Sequence, residues 1–294
     1  MKWHQRSSSI YLIVNPVAKG YSKRAFDSLL KNLKEAFDKN IEVFYTTKRG
    51  DAEEFARSIA SEGGSVILVV GGDGTLNEAI NGIANTDLPL GFIPSGTTNV
   101  AAKEFGIKEH YQKALRQLLE AEPRRITLGR INGRYFLLMA GAGFDGYSVK
   151  GVNPKIKALT GKGAYILSGT KVFLKDRLPT VEVGVNGLTY RATSVIVANA
   201  SCYGGRFRVC PEASVFDENL DVAIFEGSTR RAMLRYITGI VTGTHLRYKD
   251  VIFLKTDRLT IKGTTHIQID GDYFGLSPAE VETVPKGLNF LMPQ

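Results

Sequence analysis

The stretch that decides the fold is Val66-Ile67-Leu68-Val69-Val70-Gly71-Gly72-Asp73-Gly74-Thr75-Leu76-Asn77-Glu78. Its first five residues are apolar and mostly β-branched, which predicts a buried strand. The three glycines leave backbone N–H groups open to an anion, without a Cβ in the way. Apolar residues then repeat at helical spacing through Ile83, so the turn lies at a helix N-terminus, whose dipole favours negative charge. The stretch therefore predicts a phosphate site.

Asp73 is unusual in such a turn, because a carboxylate repels a phosphate. A divalent cation or a transferable proton between the two groups would remove the repulsion, which points to metal-assisted phosphoryl transfer. The alternative is an ordinary strand-to-helix turn in which Asp73 is the N-cap. The rest of the chain has to decide between these two interpretations.

Composition and charge set the broad class. The 294 residues are 43% hydrophobic, enough for two domains with a sizeable core. No apolar run approaches the roughly 20 residues of a membrane span, and residues 10–14 are too short for a signal-peptide core, so we expect a cytoplasmic protein. Cys202 and Cys210 form no disulfide framework and are expected to be reduced.

The net charge of +9 is concentrated in one segment. Residues 150–177 contain seven Lys or Arg against Asp176 alone. Such a segment suits an anionic phospholipid surface, nucleic acid, or simply solvent. We expect no nucleic acid, because the segment lacks interleaved aromatic platforms for stacking bases.

The first half alternates strands with helices. Strands are predicted at 11–14, 41–45, 66–70 and 90–93, and helices at 25–37, 51–61, 76–83 and 111–120. This alternation predicts an α/β domain with an open, mostly parallel, Rossmann-like sheet whose ligands bind at the carboxyl ends of the strands. Residues 15–16, 71–77 and 94–99 follow such ends and are expected to share one rim.

The pattern changes at residues 123–125, after which strands dominate. Asn132-Gly133 and Asn186-Gly187 are hairpin signals, and short strands are predicted at 126–131, 135–140, 180–185, 188–198, 222–225, 251–254, 258–261, 266–269 and 281–284. Helices are predicted near 154–177 and 230–241. We therefore expect two domains, residues 1–124 and an antiparallel β-sandwich over 125–294, with an active-site cleft between them. The last strand is free to return to the first domain.

Three further motifs contain residues that could serve a ligand or a reaction. Gly141-Ala142-Gly143-Phe144-Asp145-Gly146 matches a dinucleotide fingerprint but follows a hairpin, so it is interpreted as a turn beside the cleft. The acidic loop 211–221 could hold a hard cation, or be a solvated turn. Asp270-Gly271-Asp272 ends a predicted strand, where a carboxylate could accept a hydroxyl proton, or could form an ordinary hairpin turn.

Taken in order, these motifs resemble the diacylglycerol-kinase catalytic fold of lipid kinases, a family that includes bacterial diacylglycerol kinases, YegS-like lipid kinases and sphingosine kinases. The resemblance covers nearly the whole chain. It implies nucleotide contacts at Asn15, Pro16, Thr46, Gly71, Gly72, Asp73, Gly74, Thr75, Asn77, Glu78, Gly96, Thr97 and Asn99.

The resemblance also implies the other functional residues. Ser214, Asp217 and Asn219 match a structural magnesium site, while Asp272 matches the family's proton acceptor, with Asp270 and Asp73 completing the catalytic set. The chain departs from the family at three places. Val100 replaces an aspartate, Glu218-Asn219 replace a glycine and an apolar residue, and Asp272 replaces a glutamate.

The function implied is an ATP- and Mg2+-dependent lipid kinase acting on a diacylglycerol-like lipid, held peripherally on an anionic membrane by residues 150–177. The sequence does not fix the oligomeric state, and a homodimer is one option. Two alternatives stay open. One is an NAD kinase-like small-molecule kinase, and the other is a catalytically inactive nucleotide- or lipid-binding protein, suggested by Val100 and Asp272.

Overall fold

A computed structural model describes residues 3, 9–37, 40–150 and 180–293. Contacts within the chain divide it into two units. Unit 1 comprises residues 1–126 and 286–294, and unit 2 comprises residues 127–285. The predicted helix at 154–177, and the basic segment beyond Lys150, lie outside the described residues. Among those that are described, no helix combines the length and the apolar character needed to cross a bilayer.

Unit 1 is built on a parallel sheet. Its strands are β1 (Ser9–Val14), β2 (Asn40–Tyr45), β3 (Ile67–Gly71) and β4 (Leu90–Pro94). They lie in the order β2-β1-β3-β4, with parallel neighbours throughout. Every residue of β3 and β4 is buried, as the unbroken apolar runs predict for central strands of a covered parallel sheet.

Helices follow these strands. They are α1 (Lys23–Ala36), α2 (Asp51–Ser61), α3 (Asp73–Ile83), α4 (Val100–Glu104) and α5 (Tyr111–Glu120). The α1 stripe of Phe26, Leu29 and Leu33 is buried, as its spacing predicts. The bounds of α2 and α5 match the predicted ones, whereas the short α4 was not predicted.

Unit 2 is an antiparallel β-sandwich. The remaining elements, in chain order, are β5 (Glu122–Ile131), β6 (Arg134–Phe136), β7 (Met139–Gly143), α6 (Phe144–Lys150), β8 (Val181–Val185), β9 (Leu188–Ala192), β10 (Ser194–Ala198), β11 (Leu220–Phe225), α7 (Arg230–Thr242), a short 3-10 helix (Thr244–Arg247), β12 (Val251–Thr256), β13 (Arg258–Lys262), β14 (His266–Ile269), β15 (Asp272–Leu276) and β16 (Ala279–Met292). One sheet has the order β12-β11-β10-β7-β14-β15. In the other sheet, residues 279–285 of β16 are followed in order by β13, β8 and β9. The core between the two sheets includes Val183, Val197 and Ile267. The predicted α/β domain and antiparallel sandwich are thus confirmed.

Several predicted strands differ from the observed ones. The strand predicted at 135–140 is broken after Phe136 into β6 and β7, which belong to different sheets. The strand predicted at 188–198 is broken at Thr193 into β9 and β10, which belong to different sheets. The strand predicted at 281–284 is part of the 14-residue β16, whose first half lies in unit 2 and whose end lies in unit 1, where Phe290 pairs with Leu90.

The interpretation of residues 141–146 as a turn is wrong. Strand β7 continues to Gly143 and α6 begins at Phe144. The glycines are required for packing instead. A Cβ on Gly141 would overlap the Asp145 carboxylate, one on Gly143 the carbonyl of Thr193, and one on Gly146 the carbonyl of His266. Packing therefore accounts for the three glycines, although their spacing matches that of a dinucleotide fingerprint.

Candidate active site

Three loops of unit 1 join at the carboxyl ends of the parallel strands. Ser95 N donates to Gly71 O at 2.7 Å, Gly20 N donates to Ser95 O at 2.7 Å, and Asn15 N donates to Val70 O at 2.9 Å. We call residues 15–20, 71–75 and 94–99 the loop rim. The structure thus brings together the three segments that the sequence places at strand ends.

Gly72 and Gly96 bring the second and third loops of the loop rim into close contact. A Cβ on Gly96 would lie 2.6 Å from Gly72 Cα, and a Cβ on Gly72 would lie 3.2 Å from Gly96 Cα. Cβ atoms do not approach atoms of residues outside their own chain neighbours to 2.6 Å, so Gly96 has no room for a side chain. Gly72 has a φ of −96°, an ordinary value, so the need here is for space rather than for an unusual backbone conformation.

Asp73 links the second loop to the third. Its Oδ2 accepts from Val100 N at 2.9 Å and its Oδ1 from Ala101 N at 3.0 Å. These are among the first N–H groups of α4, which have no partner within their own helix. Asp73 is therefore not the N-cap of its own helix, a position that Gly72 occupies without a side-chain bond. It caps the neighbouring helix instead.

Asn15 and Thr46 lie at the ends of β1 and β2. Asn15 Nδ2 donates to Thr75 Oγ1 at 3.1 Å, while its Oδ1 accepts from Val17 N at 3.1 Å. Thr46 N donates to Val14 O at 2.9 Å. Both side chains are therefore held close to the loop rim by local contacts.

Asn99 organises the third loop. Its backbone is left-handed, with a φ of 47°. Its Oδ1 accepts from Gly96 N at 2.8 Å, and its Nδ2 donates to Glu109 Oε2 at 2.9 Å. Lys103 Nζ lies 3.3 Å from the other Glu109 oxygen. Asn99 thus shapes the loop from within. The remaining predicted nucleotide residues are Pro16 in the first loop, Gly74, Thr75, Asn77 and Glu78 on α3, and Thr97 in the third loop.

Asp51 fixes the segment that follows Thr46. Its Oδ2 accepts from Thr47 N at 2.7 Å, Lys48 N at 3.0 Å and Thr47 Oγ1 at 2.8 Å. The hydrogen bonds from the Thr47 and Lys48 backbone lower the pKa of this carboxyl below its ordinary value. The N-cap of α2 is Gly50, with a φ of 93°, and Asp51 is the first residue of the helix.

A cavity of about 420 Å3 opens beside the loop rim within unit 1. Its lining combines rim residues with the first turns of α1 and α5, and includes Ser22, Arg24, Ser95, His110 and Tyr111. Burial raises the pKa of the Tyr111 hydroxyl. No motif in the sequence marks Arg24, His110 or Tyr111, because they approach the rim only when the two helices pack.

In unit 2, Asp270 and Gly271 form the two-residue loop between β14 and β15. Their φ values are 49° and 86°, which is the pattern of a type I′ hairpin turn. The Asp270 carboxylate accepts from Leu137 N at 2.9 Å, Leu138 N at 2.8 Å and Met139 N at 3.0 Å. Asp272 is the first residue of β15 and pairs with Ile269. Asp270 is thus bound to backbone, and Asp272 follows a firmly held turn.

The loop with Ser214, Asp217 and Asn219 also lies in unit 2, where the side chain of Lys255, on β12, forms ion pairs with acids of residues 211–221. Lys255 Nζ lies 2.7 Å from Asp217 Oδ2 and 3.5 Å from Asp221 Oδ2. The hydrogen bond to Asp217 raises the pKa of Lys255. Across the described residues, no group of three or more His, Cys, Asp or Glu side chains is arranged to hold a metal ion. In this structure Asp217 is therefore paired with the ammonium group of Lys255.

One acid was missed by the sequence reasoning. Asp145, on α6, is 5% exposed and accepts from Gln268 Nε2 at 2.7 Å and from the Tyr203 hydroxyl. Burial raises the pKa of this carboxyl. The partners lie 123 and 58 residues away along the chain, so sequence proximity gives no signal for them.

The comparisons with known proteins agree with this architecture. Residues 9–131 match the family model of the diacylglycerol kinase catalytic domain, and residues 139–292 match that of the YegS C-terminal NAD kinase beta sandwich-like domain. Among solved structures, a candidate diacylglycerol kinase from Bacillus anthracis has a TM-score of 0.83 and 22% identity, covering 97% of this chain and 95% of its own, which shows a common fold.

Curated relatives carry the same family name. A diacylglycerol kinase from Bacillus subtilis (strain 168) is 31% identical over 256 residues, or 85% of this chain and 84% of the relative. One from Staphylococcus aureus (strain MRSA252) is 26% identical over 290 residues, or 96% and 91%. By its sequence and its domain matches, the chain belongs to the diacylglycerol kinase family.

Proposed function

We propose that this chain is an ATP-dependent lipid kinase that transfers the γ-phosphate to a hydroxyl of diacylglycerol or a closely related lipid. The observation that carries the proposal is the loop rim. Three glycine-containing loops meet there, and the Gly72 and Gly96 backbones touch. Glycine N–H groups and the N-terminus of α3 suit phosphates.

Magnesium, when bound, neutralises charge on the phosphates. Asp73 is the only acid of the loop rim. Its two oxygens accept from Val100 N and Ala101 N, which fixes the carboxylate beside the glycine turn. Its negative charge there suits a hydrated magnesium ion that arrives with the nucleotide. The loop with Asp217 suits one less well, because the Lys255 ammonium is already paired there.

Asp272 is proposed as the general base. It accepts the proton of the lipid hydroxyl while the hydroxyl oxygen bonds to the γ-phosphorus. The bond from that phosphorus to the β,γ-bridging oxygen breaks, and ADP leaves. Asp270, bound to three backbone N–H groups, holds the turn that precedes the base.

Membrane association is proposed to be peripheral and cytoplasmic, through the basic residues of 150–177. Each Lys or Arg near an anionic surface contributes about 1 kcal/mol, and salt screens this attraction. Binding to vesicles containing phosphatidylglycerol should therefore weaken as ionic strength rises. Binding that is independent of salt contradicts this part of the proposal.

The test is transfer of labelled γ-phosphate from ATP to diacylglycerol in mixed micelles. Wild type should label the lipid, while Asp73→Ala and Asp272→Asn should lose at least about 100-fold in kcat, as expected for groups acting on the transferred phosphoryl or the attacking hydroxyl. Asp257→Asn, an exposed acid of unit 2, serves as the matched control.

A parallel reaction with NAD as acceptor tests the second candidate, because the sandwich matches a family described as NAD kinase-like. Label in NAD but not in lipid replaces the proposal with this alternative. ATP binding without transfer to either acceptor supports an inactive binding protein instead.

A further inference from the structure

A buried acid lies behind the hairpin that carries Asp272. Asp145 and Gln268 are 5% and 2% exposed. Gln268 Nε2 donates to Asp145 Oδ2 at 2.7 Å, and the Tyr203 hydroxyl donates to Asp145 Oδ1. A buried carboxylate costs free energy unless it is hydrogen-bonded, and these two donors supply the bonds.

The far end of the Gln268 amide reaches the turn itself. Its Oε1 accepts from Gly271 N at 2.7 Å. An amide turned by 180° would place Oε1 against the Asp145 carboxylate and its NH2 group against the Gly271 N–H, and both contacts would be repulsive. Asp145 therefore selects the amide orientation in which Gln268 can bind the turn.

The backbone opposite is shaped for this pair. Gly141 on β7 pairs with Gln268 on β14. A Cβ at Gly141 would overlap the Asp145 carboxylate and lie 2.9 Å from Gln268 Nε2. The acid and the amide thus occupy the space that a side chain on β7 would otherwise fill.

The hairpin turn is consequently held from two sides. Asp270 N donates to Met139 O at 2.9 Å, and the Asp270 carboxylate binds three N–H groups of residues 137–139. Gly271 N is bound by Gln268. Asp272 is the next residue, so the direction of its side chain depends on both attachments.

We propose that Asp145 and Gln268 are positioning residues for Asp272, acting through the Gly271 amide. The inference rests on the proposed function, in which Asp272 takes the proton of the lipid hydroxyl. Misplacement of a reacting group by about 1 Å can cost about 100-fold in rate, so loss of one hydrogen bond behind the turn should be visible in kcat.

The test uses three single variants of the full chain and the double variant that combines Gln268→Met with Asp145→Ala. Gln268→Met keeps the length of the side chain but cannot accept from Gly271. Asp145→Ala removes the acceptor that orients Gln268, whereas Asp145→Asn keeps an acceptor oxygen and serves as the conservative control. We measure kcat and KM for ATP with diacylglycerol in micelles, the Tm, and deuterium exchange of the peptide covering residues 268–273.

We expect Gln268→Met and Asp145→Ala each to lower kcat about tenfold, as fits the loss of one hydrogen bond, with KM for ATP unchanged. The 268–273 peptide should exchange faster in both. Asp145→Asn should stay near wild type in rate and in exchange. The double variant should be no slower than either single variant, because both act on the same turn.

Three results overturn the inference. The first is a Gln268→Met variant whose kcat and deuterium exchange equal those of wild type. The second is a double variant in which the losses of kcat from the two single variants add. The third is an Asp145→Asn variant as slow as Asp145→Ala. Failure of the proposed function looks different, since wild type itself would then transfer no phosphate to lipid. The exchange measurement decides the positioning role independently of activity.

Discussion

Val100 N donates to Asp73 Oδ2 at 2.9 Å, so the acid of the glycine turn is also the cap of the helix that follows the third loop. The same carboxylate binds Ala101 N at 3.0 Å. Where the family usually has an aspartate, Val100 contributes its backbone to this contact. One side chain therefore has a structural and a proposed chemical role, and these can be separated.

Asp73→Asn and Asp73→Ala should separate them. Asp73→Asn keeps one acceptor for α4, whereas Asp73→Ala leaves two N–H groups without it and should lose about 1–3 kcal/mol of stability, more than the asparagine variant. Both should lose phosphoryl transfer, because the charge is gone. Urea unfolding and the lipid kinase assay measure the two effects. An active Asp73→Asn enzyme would refute the proposed chemical role.

Substitutions at the two touching glycines should differ in severity. A methyl at Gly96 meets Gly72 Cα at 2.6 Å, while a methyl at Gly72 meets Gly96 Cα at 3.2 Å. Gly96→Ala should therefore cost about 1–3 kcal/mol, as overpacking does, and raise KM for ATP, and Gly72→Ala should have the smaller effect. Equal changes in stability and in KM for ATP in the two variants would mean that the contact between Gly72 and Gly96 relaxes without moving the third loop.

Low pH should remove the contribution of the Asp51 carboxylate to the stability of the fold. The folded-state pKa lies below the ordinary value of 3.8, so the stabilisation is present above that pH and is lost as pH falls through the folded pKa. Asp51→Asn should be less stable than wild type at neutral pH, and the difference should shrink below about pH 4. Denaturant unfolding against pH measures it, with Glu54→Gln of the same helix as control. A difference in stability between Asp51→Asn and wild type that does not change with pH would contradict the lowered pKa of Asp51.

Magnesium should stabilise a variant without Lys255 more than it stabilises wild type. Lys255→Met leaves Asp217 and Asp221 without their ammonium partner and should itself cost only about 0–1 kcal/mol, because the pair is partly exposed. Thermal unfolding with magnesium or with EDTA, in the absence of nucleotide, gives the comparison. Equal stabilisation of wild type would favour the predicted magnesium site at Ser214, Asp217 and Asn219.

The sequence predicted the elements whose signals are local. Residues 66–70 and 90–93 are strands because each is an unbroken apolar run, and the α1 stripe follows from its 3.6-residue period. The prediction that residues 15–16, 71–77 and 94–99 share one rim followed from one rule, that parallel strands end on the same edge.

What the sequence did not predict depends on contacts between distant residues. Asp73 is not the N-cap of its own helix, and its N–H partners on α4, which lie 27 and 28 residues away, were not predicted. Lys255 reaches Asp217 across 38 residues. Neither pairing has a spacing rule, because each depends on how two separate elements pack.

The absence of a side chain at position 141 limits which residues can occupy positions 141 and 145 together in members of the family. A side chain at 141 would occupy the volume of the Asp145 carboxylate, so a residue larger than glycine cannot enter at 141 while the acid stays in place. Relatives that carry alanine or a larger residue at the first position should therefore lack aspartate at the second, and the two sites should vary together.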